Sequence, residues 1–155
     1  LKEGCMRKFE QVKDSAMQYN NNPVKMPFRA TKFSAGYDIF SPIDITIKAG
    51  DVVMIWTNLK AKFLEDEFLL LCTTSGMGKK GIRLANGIGI IDSDYYGNIS
   101  NDGNFAFRLI NMSKDDYIIK VGDKIGQGIF MKYLLTDDDV VSENVRVGGF
   151  GSTVK

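Results

Sequence analysis

Asp92 closes the apolar run Gly89-Ile90-Ile91-Asp92 and is followed by Ser93-Asp94-Tyr95-Tyr96-Gly97. A carboxylate at the end of a buried strand is partly desolvated, which makes it a better general base toward water. A turn aspartate that hydrogen-bonds its own backbone would occupy the same place, and this run alone leaves both roles open. Asp38 lies in Ser34-Ala35-Gly36-Tyr37-Asp38-Ile39, a small-residue turn entering a strand. Magnesium takes oxygen ligands and keeps several waters, so one carboxylate touching its hydration shell is enough to help hold it. A Gly-x-Asp turn also occurs without any metal.

Two further segments suit phosphate. Ser75-Gly76 precedes Gly78-Lys79-Lys80-Gly81, where small residues would let backbone N–H groups approach phosphate oxygens and the lysines would add charge. A solvated basic loop fits the same residues, and the Walker spacing is absent. The tail Arg146-Val147-Gly148-Gly149-Phe150-Gly151-Ser152-Thr153 combines an anion binder, one aromatic ring, two hydroxyls and hinge-like glycines. That composition suits a lid over a phosphorylated ligand, with Phe150 covering an aromatic base. It is equally the composition of a disordered terminus.

Composition narrows the chemistry. The chain has 155 residues and no histidine, so imidazole catalysis is excluded and a base near neutral pH must be Asp, Glu, Lys, Tyr or Cys. Net charge is +1, from 20 Lys and Arg against 19 Asp and Glu, which argues against a protein held to nucleic acid by phosphate neutralisation. Cys5 and Cys72 lack a paired spacing, so neither a disulfide scaffold nor a zinc site is expected; Cys72, within Phe68 to Cys72, reads as a buried structural thiol. No apolar run is long enough to span a bilayer and no signal segment opens the chain, so a soluble cytoplasmic protein is expected. The first residue is Leu, which puts the true start upstream or at Met6.

The elements that must position these groups are short. Ile43 to Ile47, Val52 to Trp56, Leu59 to Phe63, Phe68 to Cys72, Ile88 to Ile91, Phe105 to Ile110, Tyr117 to Ile119 and Ile125 to Phe130 alternate or run apolar between Gly, Asn and Asp. They read as strands of a sandwich or barrel. At most a short helix follows Ser75 or forms near Asp14 to Tyr19. Residues 1–22 form an N-terminal strand and loop of uncertain role, including Asn20-Asn21-Asn22. Residues 23–136 form the β core and 137–155 a flexible glycine-rich tail.

Ala35-Gly36-Tyr37-Asp38-Ile39, Ser75-Gly76-Met77, Asn86 through Gly97, Gly122-Asp123-Lys124-Ile125-Gly126-Gln127 and Gly148 through Thr153 stand in one order along Pro27 to Thr153. Together they resemble the five ordered motifs of the trimeric dUTP pyrophosphatase (dUTPase) family. The resemblance implies an all-β distorted jelly roll, a homotrimer with active sites at subunit interfaces, and a tail delivered in trans. It implies hydrolysis of dUTP to dUMP and pyrophosphate with Mg2+, removing dUTP and supplying dUMP for thymidylate synthesis, with no nucleic-acid or membrane partner. By the same resemblance Asp92 activates the attacking water, and Asp38 reaches magnesium through water. Tyr95 packs under the deoxyribose and leaves no room for a 2′-hydroxyl. Asn86 and the backbone at Gly89 read the uracil edge, and Phe150 stacks on it. Ser75, Gly76, Gln127, Arg146, Ser152 and Thr153 contact phosphates.

The chain departs from the family pattern in four places. Thr74 stands where the pattern has arginine, and Lys79 and Lys80 are the nearby cations that would have to stand in for it. Arg146 precedes Phe150 by four residues instead of five, Ser100 to Asn104 lengthens a hairpin at the turn pair Asp102-Gly103, and Val154 replaces a common glycine. Two alternatives follow: a catalytically impaired nucleotide-sensing relative, and a dCTP deaminase. The second needs a glutamate where counting back from Asn111 gives Arg108, which cannot serve as that acid/base.

Overall fold

The computed structural model describes residues 7–19 and 23–151; Cys5, Met6, Asn20 to Asn22, Ser152, Thr153 and Val154 lie outside the described residues. The strands in chain order are β1 (Lys8–Gln11), β2 (Tyr37–Phe40), β3 (Ile45–Ile47), β4 (Val52–Trp56), β5 (Leu59–Lys62) and β6 (Glu67–Cys72). The short helix α1 (Ser75–Lys79) leads to β7 (Ile82–Leu84), β8 (Gly89–Asp92), β9 (Ala106–Asn111), β10 (Tyr117–Ile119) and β11 (Lys124–Lys132). The fold is all-β, with a 3-10 turn at Asp14–Ala16 and another at Ser93–Tyr95. Among the described residues, no helix is long and apolar enough to cross a membrane.

Pairing is antiparallel throughout. One sheet runs in the order β2-β11-β6-β8, a second β4-β9-β7, and two ribbons pair β1 with β5 and β10 with β3. Alternation along each strand decides which side chains enter the core. On β6, Glu67, Leu69 and Leu71 are buried while Phe68, Leu70 and Cys72 are half-buried. Ile39, Leu69, Leu71, Ile91 and Ile125 from the first sheet meet Ile55, Ile82, Leu84, Phe107 and Leu109 from the second in one cluster. Cys72 is therefore free and half-buried, where its strand's parity places it; burial still pushes its thiol up.

The amino-terminal segment is part of this core. Phe9 of β1 packs its ring 5.4 Å from Tyr37 and 5.3 Å from Phe130. Arg7 pairs with the buried Glu67. The strand expected within residues 1–22 is thus Lys-Phe-Glu-Gln, whose one apolar residue in four did not reveal that it joins the core. β7 was missed, being three residues long with Arg83 at its centre.

Candidate active site

The turn joining β7 of one sheet to β8 of the other, here termed the Asn86 hairpin, carries Asn86, whose amide donates to the Ile88 carbonyl at 2.7 Å. β8 delivers Gly89 and then Asp92, and the 3-10 turn that follows carries Tyr95 inward to 3% exposure. The Tyr95 hydroxyl donates to the Asn104 carbonyl at 2.5 Å and accepts from the Asn101 amide at 2.7 Å. Burial pushes the Tyr95 phenol above its ordinary range, so it is a fixed neutral wall. These groups, with Leu71, Leu84, Ala106, Arg108, Arg146, Gly149 and Phe150, line a cavity of ≈ 320 Å³, within the range that encloses small ligands.

Asp92 stands on the rim with its side chain 53% exposed. The expected partial desolvation is not found: the carboxylate belongs to the last residue of β8, which points away from buried Ile91. Its role must therefore come from placement. Arg146 bridges this rim, with Nη2 2.6 Å from Asp92 and Nε 2.6 Å from Asp94.

The tail is seated over the same cavity. The Ser100 amide donates to the Val147 carbonyl at 3.1 Å, so the lengthened hairpin anchors the tail. Phe150 lies 5.9 Å from Tyr95 and 5.5 Å from Trp56, both near edge-to-face. Its φ of 54° is a left-handed backbone that ring packing must hold. A Cβ at Gly149 would come 2.6 Å from the Tyr95 ring, so only glycine lets the chain pass this closely. The resemblance implies a tail given to a neighbour, whereas this tail closes on its own chain. The exposed link 133–145 allows either, since thirteen extended residues reach about 45 Å.

The other expected residues form a second group outside this cavity. Asp38 is 8% exposed and its carboxylate lies 3.0 Å from Lys124. Gln127 pairs across the sheet with both Asp38 and Cys72, and its amide donates to the Thr73 carbonyl at 3.4 Å. That places Asp38 and Gln127 beside the start of α1, where Ser75 and Gly76 lie exposed. Asp92, by contrast, pairs with Phe68. The two groups are four residues apart along β6 and three strands apart across the sheet, on the order of 20 Å in a flat sheet.

Thr74 caps α1, its hydroxyl accepting from the Met77 amide at 3.4 Å. Lys79 is exposed in the last turn, and Lys80 sits 5.6 Å over the Tyr117 ring. The sequence reading also overlooked Trp56 beside Phe150, and Arg108 on the cavity wall. Period-two alternation could have found Arg108: Phe107 and Leu109 enter the core, so Arg108 shares the opposite face with Ala106.

A family model described as dUTPase matches residues 22–154. The chain belongs to the dUTPase family. Deoxyuridine 5'-triphosphate nucleotidohydrolase of Lactococcus lactis subsp. lactis (strain IL1403) is 37% identical over 150 residues, covering 96% of this chain and 97% of the relative. The enzyme of that name from Rickettsia felis (strain ATCC VR-1525 / URRWXCal2) is 40% identical over 136 residues, covering 83% and 87%. The crystal structure of dUTPase from Streptococcus mutans superposes with a TM-score of 0.72 at 34% identity, covering 84% of this chain and 98% of that one. The all-β architecture is thus the fold of dUTPase-family structures.

Proposed function

We propose that the chain hydrolyses dUTP to dUMP and pyrophosphate by attack of water on the α-phosphorus. The observation that carries this reading is the cavity itself: in a dUTPase-family chain it joins the Asn86 hairpin, the Tyr95 wall and Phe150 to a carboxylate on the rim. Uracil enters against Asn86 and the backbone at Gly89, under Phe150. Tyr95 meets the sugar. Its ring is buried and its hydroxyl held by two partners, so it cannot retreat to admit a 2′-hydroxyl. Steric refusal is the effective device, because an apolar wall alone discriminates weakly against one added hydroxyl.

Asp92 takes the proton from the attacking water. Arg146 pairs with that carboxylate. An exposed ion pair of this kind contributes no more than about 1 kcal/mol, so a triphosphate can draw Arg146 away and leave Asp92 facing water. Ser75, Gly76 and Gln127, with Ser152 and Thr153 of the tail, meet the phosphates.

Asp38 suits magnesium through water. It is one carboxylate beside a phosphate-binding loop, and no cluster of three acidic or thiol groups occurs among the described residues, so the remaining ligands fall to phosphate oxygens and water. When bound there, magnesium would supply positive charge beside the leaving pyrophosphate. Asp38 must exchange its Lys124 contact for that role.

A nucleotide triphosphate cannot join two groups on the order of 20 Å apart within one chain. The reading therefore has copies of the chain assemble as a homotrimer, one supplying the Asp92 cavity and another the Asp38 group. Pyrophosphate release from dUTP, dTTP, dCTP and UTP tests the function. Turnover of dUTP alone is expected; ammonia release from dCTP, or tight binding of dUTP without turnover, contradicts it.

A further inference from the structure

Arg108 projects from β9 onto the cavity wall, and its guanidinium has no hydrogen-bond or ion-pair partner among the described residues. Every other charged group lining that cavity is paired: Arg146 with Asp92. Arg108 also sits at the root of the hairpin. The Ala85 amide donates to its backbone carbonyl at 2.8 Å, one residue from Asn86. Arg146 is held instead by Asp92, and the Ser75 and Gln127 group lies outside the cavity. Arg108 thus belongs to the end where a base enters, not the end where phosphates leave.

We propose that Arg108 is a specificity-determining residue, its guanidinium donating to the carbonyl oxygen at the 4-position of uracil. This rests on the reading that the cavity takes a uracil nucleotide. Guanidinium carries only donors and stays charged at every working pH. Opposite a carbonyl it makes a charge-assisted hydrogen bond. Opposite the 4-amino group of cytosine, donor meets donor and both are left unpaired. Thymine keeps the 4-carbonyl, so Arg108 does not separate it from uracil. That task stays with the hairpin backbone, which Gly89 holds so close to Leu71 that a Cβ would come 3.0 Å from the Leu71 Cβ.

Arg108→Met keeps most of the apolar stem and removes every donor; Arg108→Gln restores a group that can either donate or accept. The Met variant should lose roughly 10- to 100-fold in kcat/KM on dUTP, as expected for one hydrogen bond to a charged group. Its dCTP-to-dUTP ratio should rise by a similar factor while the dTTP-to-dUTP ratio stays fixed. Arg108→Gln should recover part of the dUTP rate and bind dCMP better than the native chain does. Calorimetric titration should show dUMP and non-hydrolysable dUTP weakened by the same factor. A loss that grows with the number of phosphates makes Arg108 a phosphate ligand and overturns the proposal, as does an unchanged dCTP-to-dUTP ratio. Should the native chain release no pyrophosphate from dUTP, the functional reading fails by itself, and the dUMP and dCMP titrations still decide Arg108.

Discussion

Asp92 has little in its surroundings to make it special: it is exposed, ends a strand and is paired with a mobile-length arginine side chain. Its function rests on where the hairpin puts it, one turn before a buried tyrosine and on the rim of a cavity that Phe150 covers. Asp92→Asn keeps the shape and removes the proton acceptor. Turnover of dUTP should fall by about 10³-fold, with dUMP binding within a few-fold of native; substantial retained turnover would remove Asp92 from its role. In the sequence, the apolar run alone left Asp92 open between a base and a turn residue, and only the resemblance of the ordered motifs singled out Asp92 and Tyr95 together. The Arg146 contact was not legible there. Fifty-four positions separate it from Asp92, and nothing in an exposed connecting segment fixes where its far end lands.

At the level of elements, the lengthened hairpin after Tyr96 is a junction. Asp102 and Gly103 take positive φ, 60° and 93°, as a tight Asp-Gly turn requires. Asp102 then receives the Lys60 ammonium at 2.8 Å and the Lys13 amide at 2.9 Å, while Ser100 holds the tail. The hairpin so connects the amino-terminal segment to the lid. Burial alone would raise the Asp102 carboxyl, but Lys60 and Lys13 outweigh it and hold it below the usual carboxylate range. A depressed folded value means the contribution is present above the unfolded value, near pH 4, and is lost as pH falls through the folded one. Lys60→Met should cost about 2 kcal/mol at pH 7, and in urea titrations that gap should narrow below about pH 4. A pH-independent gap would assign the loss to packing.

The lid makes a separable prediction. Removing residues 148–155 takes away Gly149 and Phe150 but no member of the core cluster. Tm should shift by no more than about 2 °C, while kcat/KM on dUTP falls by about 10²-fold. Trp56, the chain's one tryptophan, touches Phe150, so its emission should change with the truncation. A large drop in Tm would make the segment structural. Most strands of the two sheets, though not the three-residue β7, were readable from alternation and apolar runs, since packing on one face imposes a two-residue period. The amino-terminal strand was expected within residues 1–22 but its place was not, because it is held by ladder bonds and one phenylalanine. Thr74, which stands where the family pattern has arginine, caps α1, a role that Thr ahead of a short helix announces.

For the whole molecule, sequence order placed five motifs in register but carried no information on how far apart one chain holds them. The register of the first sheet supplies it: Asp38 and Asp92 stand on the order of 20 Å apart, so on the proposed reading complete sites need more than one copy. Asp38→Asn and Asp92→Asn chains, each inactive alone, can be unfolded, mixed in equal amounts and refolded together. If each site takes Asp92 from one subunit and Asp38 from another, random assembly leaves about one quarter of sites with both acids intact. Pyrophosphate release from dUTP by the mixture should then reach about one quarter of the native rate. A mixture as inactive as its components, in hybrids shown to have formed, would mean that both acids serve from a single chain and would contradict the account.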